Sequence, residues 1–248
     1  VTRATSRGIL PILLAAGAAF LVLVSLGTWQ VRRLAWKEAL IATVEARVDQ
    51  PAAPLPDPAT WPTLADETIE YLPVRLSGTF DHGREIHVFI ALGEPAGPYG
   101  GQGYFVVTPL ILDDDRVVFV NRGFVPAERK DPATRAEGQV EGQVTLEGLI
   151  RPPEPATWLS PEPDLAKNVW FVRDPVRMAE ATGIDPARVA PFTVDARAGQ
   201  SPGSLPQGGE TVVSFTNNHL GYAVTWFGLA AALAAVTFVF LTARRSRP

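Results

Sequence analysis

Apolar and polar positions follow three different rhythms along this chain. From Gly8 to Val31 there is no Asp, Glu, Lys or Arg, and from Leu220 to Ala243 there is none either. Each run has 24 residues. As a helix rising ~1.5 Å per residue, such a run reaches about 36 Å, more than a hydrocarbon core of roughly 30 Å. Core helices seldom need so many uncharged residues in succession. The runs therefore predict two transmembrane α-helices, over 8–31 and 217–243. The first begins on a basic stretch, as a secretory signal does. Its apolar part exceeds the usual ~7–15 residues, and "SLGTWQ" is a poor small-residue cleavage site, so it reads as an uncleaved anchor.

A helical period continues beyond the first run. Trp29, Val31, Leu34, Trp36, Leu40, Ile41, Val44 and Val48 recur largely at three-to-four spacing, predicting an amphipathic helix. "DQPAAPLPDPATWP" then places five prolines in 14 residues, which favours an extended, polyproline-like connection. Helix and proline-rich linker together occupy 32–70. From Tyr71 to Thr216 the period shortens to two. "YLPVRLSGTF", "EIHVFIAL", "YFVVTPLIL", "RVVFVNRGFV" and "GQVTLEGLI" read as strands. "NVWFV", "PFTVDA" and the returning "TVVSF" read as shorter ones. "DDD" makes a hairpin turn, and "GEPAGPYGGQG" and "SPGSLPQGG" read as flexible loops. One helix interrupts the strands, "DPVRMAEATG", with Asp174 as N-cap, Pro175 at its first position and Gly183 as its stop. The expected fold is a membrane protein in which two transmembrane helices bracket a mostly antiparallel β (α+β) domain at 71–216.

Charge orients this plan. Arg3 and Arg7 precede the first apolar run, Arg244, Arg245 and Arg247 follow the second, and every Asp and Glu lies between Arg32 and Glu210. Arginine is retained in the cytoplasm, so both tails, 1–7 and 244–248, are expected inside and the β domain outside the cytoplasm. "QVRRLAWK" opposes this with three positive charges, but long domains translocate largely regardless of charge. No Arg- and Ser-rich transit segment precedes the first run, which favours a bacterial inner membrane over a mitochondrial one. The acidic middle excludes nucleic acid, whose phosphates need a basic surface. With no cysteine there is neither disulfide framework nor thiolate metal site.

Catalytic motifs are missing: no G-x-S-x-G elbow, no P-loop and no H-E-x-x-H. The reading is of a protein that is not an enzyme. Asp113, Asp114 and Asp115 read as a polar turn, and Gly100, Gly101 and Gly103 precede no helix that would complete a phosphate cradle. His82 sits in a "DHG" turn and His87 alternates with Ile86 and Val88 on a strand. Arg122, in "VNRGFVP", reads as a strand end or as a contact for a carboxylate of a partner or of haem. His219 stands at the mouth of the second apolar run. Helical spacing places it on one face with Tyr222, Ala223 and Trp226. Two readings stay open there: an iron ligand with aromatic neighbours, or a polar tip in an interfacial aromatic belt.

"LGTWQVRRLAWK", "GTFDH", "GYFVVTPLIL", "VNRGFVP", "EGQVTLEGLIR" and "NNHLGYAVTWFGLA" occur in that order. This combination, from about Leu26 to Ala230, closely resembles the surfeit locus protein 1 family of cytochrome c oxidase assembly factors. The resemblance implies two transmembrane helices around an outer domain and a role in maturing oxidase subunit I. It implies transient binding of haem a, with His219 at the position of the family's proposed iron ligand. On that basis the expected haem site holds His219 as axial ligand, Arg32 or Arg33 toward a propionate, and Trp29, Tyr222 and Trp226 around the macrocycle. Expected partners are the bilayer, oxidase subunit I and haem a synthase. The competing expectation is a haem-independent scaffold for partly assembled oxidase subunits.

Overall fold

The period of two produces six strands, the proline-rich stretch adds a short seventh, and their pairing closes on itself. The computed structural model describes residues 9–211 and 218–245 and divides into two units, Val44–Val213 and the paired ends Val1–Thr43 with Ser214–Pro248. In the first unit β1 is Ala53–Pro54, β2 Pro73–Phe80, β3 Ile86–Leu92, β4 Gly101–Leu112, β5 Val117–Pro126, β6 Gln143–Arg151 and β7 Val189–Ala196. They run in the order β1-β2-β6-β7-β5-β4-β3, and β2 also pairs with β4. The five strands β2, β6, β7, β5 and β4 thus form a closed ring, with β1 and β3 added outside it. Closure leaves these five without a free hydrogen-bonding edge. Most pairs are antiparallel, as the pattern implies, but β1–β2 and β5–β7 are parallel. Alternation is the same in either direction, so the pattern could not distinguish them.

Each barrel strand turns alternate side chains inward. Val74 and Leu76, Leu110, Val118 and Val120, Leu146 and Ile150, and Phe192 and Val194 pack together as the interior. The opposite face of the β3–β4–β5 side offers Ile86, Val88, Val107 and Phe119, against which Trp170, Met178 and Ala179 pack. The last two belong to α3, Pro175–Thr182. Its predicted caps are present. The Asp174 carboxylate accepts from the amides of Val176 and Arg177 at 3.0 and 3.2 Å, and Gly183 takes the left-handed φ of 69° at the C-terminus.

Three local expectations change. The proline-rich stretch is not a free linker. Ala53 and Pro54 pair with β2, and Leu55, Trp61 and Leu64 lie against the barrel core with buried Ile69 of the short helix α2, Asp66–Ile69. Trp61 meets Phe192 edge-on at 5.6 Å. Proline limits the stretch to a short 3-10 helix, Pro58–Thr63, but the apolar residues among the prolines still gain by burial. "NVWFV" makes only isolated bridges, Val88 with Trp170 and Asp164 with Val169. The two Gly- and Pro-rich loops are held to each other rather than loose. Glu210 accepts from the amides of Ala96 and Gly97, and Gln207 exchanges hydrogen bonds with the backbone of Tyr99. "TVVSF" falls almost wholly in 212–217, outside the described residues, as do the tails at 1–8 and 246–248.

The other unit is helical. α1, Leu10–Val48, carries the first apolar run without a break into the amphipathic segment, and α4 is His219–Arg245. Little of either apolar run is buried. Leu14, Leu21, Val224, Val236 and Phe238 are all exposed. Apolar surface of this extent is what lipid, not water, solvates. The chain is a membrane protein with two spanning helices. Thr28, Thr225 and Thr237 donate their hydroxyls to the carbonyls of Val24, Gly221 and Leu233, four residues back. Their polar groups are thereby satisfied without leaving the helix.

Candidate functional site

Gln30 cannot be satisfied in that way. A side-chain amide inside an apolar run carries two donors and an acceptor and costs free energy unless bonded. Gln30 is buried, and its Oε1 lies 2.7 Å from Nδ1 of His219. The two helices come close enough for this because residue 27, one turn earlier on α1, is glycine. A Cβ there would stand 2.8 Å from the Phe227 ring. Ala223 and Ala230, also buried, keep the same stripe of α4 narrow.

The hydrogen bond decides the chemistry of the ring. An amide oxygen only accepts, so Nδ1 of His219 donates to it. In a neutral ring with this hydrogen bond, Nε2 keeps its lone pair. This is the arrangement by which an outer hydrogen bond fixes tautomer and orientation of a metal-binding histidine. Gln30 was not among the residues singled out from the sequence. Its signal was available: it is the only amide in Gly8–Val31, and a lone amide there demands a partner.

The other expected site residues surround this pair less closely. Tyr222 is exposed and Trp226 half-buried, one and two turns along α4 from His219. Trp29 is exposed beside Gln30. Arg32 is exposed, and the Arg33 guanidinium stacks over Trp36 at 3.8 Å. Among the described residues, no hydrogen bond joins any of these five side chains to His219.

The β unit has its own buried polar chemistry. His87 is buried and its Nε2 donates to Glu85 Oε1 at 3.0 Å, while Arg135 pairs with the same carboxylate. Burial pushes the Glu85 carboxyl up, but the hydrogen bonds from His87 and Arg135 outweigh this and hold it below its ordinary value. Asp195 gathers Arg173 at 2.6 Å, Asn121 at 3.0 Å and Thr211 at 3.0 Å. His82 is not simply a surface residue of its turn: it is half-buried, its Nε2 donates to the Val140 carbonyl at 2.9 Å, and Nδ1 lies 3.4 Å from Arg122. The aspartates of "DDD" engage Gln143 and Arg116 at the hairpin. Among the described residues, no three His, Asp or Glu side chains converge as a metal site.

Comparisons with known proteins bear on the whole chain. A family model described as the SURF1 family matches residues 17–231. The chain is similar to Surfeit locus protein 1 of Rattus norvegicus, 39% identical over 223 residues, or 86% of this chain and 70% of that protein. The Homo sapiens Surfeit locus protein 1 is 39% identical over 225 residues, 86% of this chain and 72% of the relative. A SURF1-like protein of Drosophila melanogaster is 38% identical over 220 residues, 84% and 70% of the two chains.

Proposed function

The chain belongs to the SURF1 family, and from that premise we propose that it assists assembly of cytochrome c oxidase by holding haem a as transient cargo for subunit I. The observation that carries this reading is the hydrogen bond between Nδ1 of His219 and Oε1 of Gln30 at 2.7 Å. It supports an oriented imidazole whose Nε2 is the iron-binding atom.

Handover favours this kind of ligand. A carboxylate behind the histidine would make the imidazole more basic and the iron bond tighter. An uncharged amide fixes the ring without setting a negative charge behind it, which suits a carrier that must release. Trp29, Tyr222 and Trp226 supply aromatic surface for a macrocycle, and Arg32 and Arg33 supply planar forks for propionates. Haem a would arrive from its synthase and leave toward subunit I without passing through water. The proposed setting is a bacterial inner membrane, with both termini cytoplasmic and the β unit on the far side.

The test is the absorption spectrum of the full chain purified in detergent after co-expression with haem a synthesis, beside His219→Ala. The reading expects a haem band in the parent that is lost or shifted in the variant. Equal spectra, or no haem in either, would overturn ligation and leave a haem-independent scaffold for oxidase subunits.

A further inference from the structure

Alternation along β5 leads to a site that the haem reading does not use. Val118 and Val120 line the barrel interior, and the next residue of that stripe is Arg122. The position that period two reserves for an apolar side chain holds a guanidinium, 3% exposed. Strand register places it at one mouth of the barrel. Asn121 pairs with Asp195 on β7, so Arg122 lies level with Ala196. The end of β2 at Phe80 and the start of β6 near Val144 close the same mouth.

Three arginines are buried in this unit: Arg122, Arg135 and Arg173. Arg135 pairs with Glu85, and Arg173 with Glu154 and Asp195. Among the described residues, Arg122 has no carboxylate within ion-pair distance. Its Nη2 donates to the Gly138 carbonyl, and its Nη1 lies 3.4 Å from Nδ1 of His82. Two acceptors therefore serve five N–H groups. Its remaining companion is the Phe80 ring, 4.7 Å from the guanidinium carbon. Glu85 offsets part of this charge from a distance, but its carboxylate is paired with Arg135 and makes no ion pair with Arg122. Buried charge without a directly paired counter-charge is costly. Burial also lowers the pKa of Arg122 to about 10, whereas the paired Arg173 is raised.

A cavity of about 270 Å³ opens onto Arg122. Phe80, Val140, Leu146 and Pro202 give it apolar walls, and Ser201 also lines it. Ligand pockets commonly run from ~300 to ~1,000 Å³, so this one suits a small group. We propose that Arg122 and this pocket form a receptor for a single carboxylate carried on a short apolar stem. The carboxylate supplies two oxygens to the planar fork, and the stem lies against Phe80 and Leu146. Its source is either a free short-chain acid or an acidic side chain of a polypeptide. The site is independent of whether His219 binds haem.

Calorimetric titration of the full chain in detergent, at fixed ionic strength, tests this. The probes are sodium butyrate for a free acid, N-acetyl-glutamic acid α-amide for a polypeptide side chain, and butyramide as the uncharged isostere. Saturable binding of one or both acids, with none of butyramide, is expected. Arg122→Gln should weaken it roughly 10- to 100-fold, the loss of charge-assisted hydrogen bonds. Ser201→Trp keeps the arginine and puts a large side chain on the cavity lining, so it should weaken binding even if Arg122→Gln fails to fold. Binding of the glutamate derivative alone assigns the carboxylate to a polypeptide, and binding of butyrate alone to a small acid. Equal binding of butyramide, no binding of either acid, or unchanged binding in Ser201→Trp would overturn the proposal.

Discussion

Nδ1 of His219 and Oε1 of Gln30 stand 2.7 Å apart although 189 positions separate them in the chain. One side chain is the first residue of α4 and the other the last amide before the charges of α1. Each satisfies a polar group that its own helix leaves unmet. The pair orders the imidazole without adding a charge.

Replacing the acceptor should therefore be read in the iron. Gln30→Leu removes the hydrogen bond and should cut haem retention roughly 10- to 100-fold, the usual effect of losing an outer-shell partner. Gln30→Glu should retain haem but lower its reduction potential, because a carboxylate makes the ring more basic. Redox titration of the purified protein checks both. Unchanged retention in Gln30→Leu would detach the hydrogen bond from haem binding.

Close approach at Gly27 should be as important as the polar pair. Gly27→Leu drives a side chain into the Phe227 ring, which stands 2.8 Å from the position of a Cβ. Overpacking of this kind costs about 1–3 kcal/mol and should separate Gln30 from His219. Adding Phe227→Ala should recover haem retention. A double-mutant cycle in which the two changes simply add would contradict the contact.

Glu85 ties stability to pH in a definite direction. Its folded pKa lies below the ordinary value, through the hydrogen bonds of His87 and Arg135 acting against burial. The stabilisation is complete above the unfolded carboxyl pKa and is lost as pH falls through the folded value. Glu85→Gln should lose about 3–5 kcal/mol at neutral pH, since Arg135 is left buried and unpaired. It should also flatten the acid limb of the stability curve. Urea unfolding across pH measures both, and an acid limb as steep as the parent's would assign the dependence elsewhere.

Gly123 follows Arg122 with φ of 126°, and a Cβ there would overlap the Gln207 carbonyl. That carbonyl accepts from the Phe124 amide at 2.9 Å, so it cannot retreat without breaking the bridge. Gly123→Ala should cost more than about 3 kcal/mol. It should release the 197–210 segment to proteolysis. A variant that stays protease-resistant and unfolds at the parent's midpoint would refute this account.

Local signals were legible wherever one residue's neighbours in sequence decide its state. The uncharged runs at 8–31 and 220–243, the period-two strands, and the Asp174 and Gly183 caps of α3 all belong to this class, because burial face and capping repeat at fixed short spacing. His219 was also visible, as a lone imidazole at a hydrocarbon boundary. Its partner was not, since pairing Gln30 with it depends on how two distant helices meet. Barrel closure through β2 and β4, the parallel β5–β7 pair and the folding of the proline-rich stretch onto the core were hidden for the same reason. Arg122 lies between the two classes. Alternation alone puts it on the interior face of β5, but only the tertiary structure decided that, among the described residues, no carboxylate forms an ion pair with it there. A charge's counter-ion is a matter of distance in space, which one-dimensional spacing does not contain.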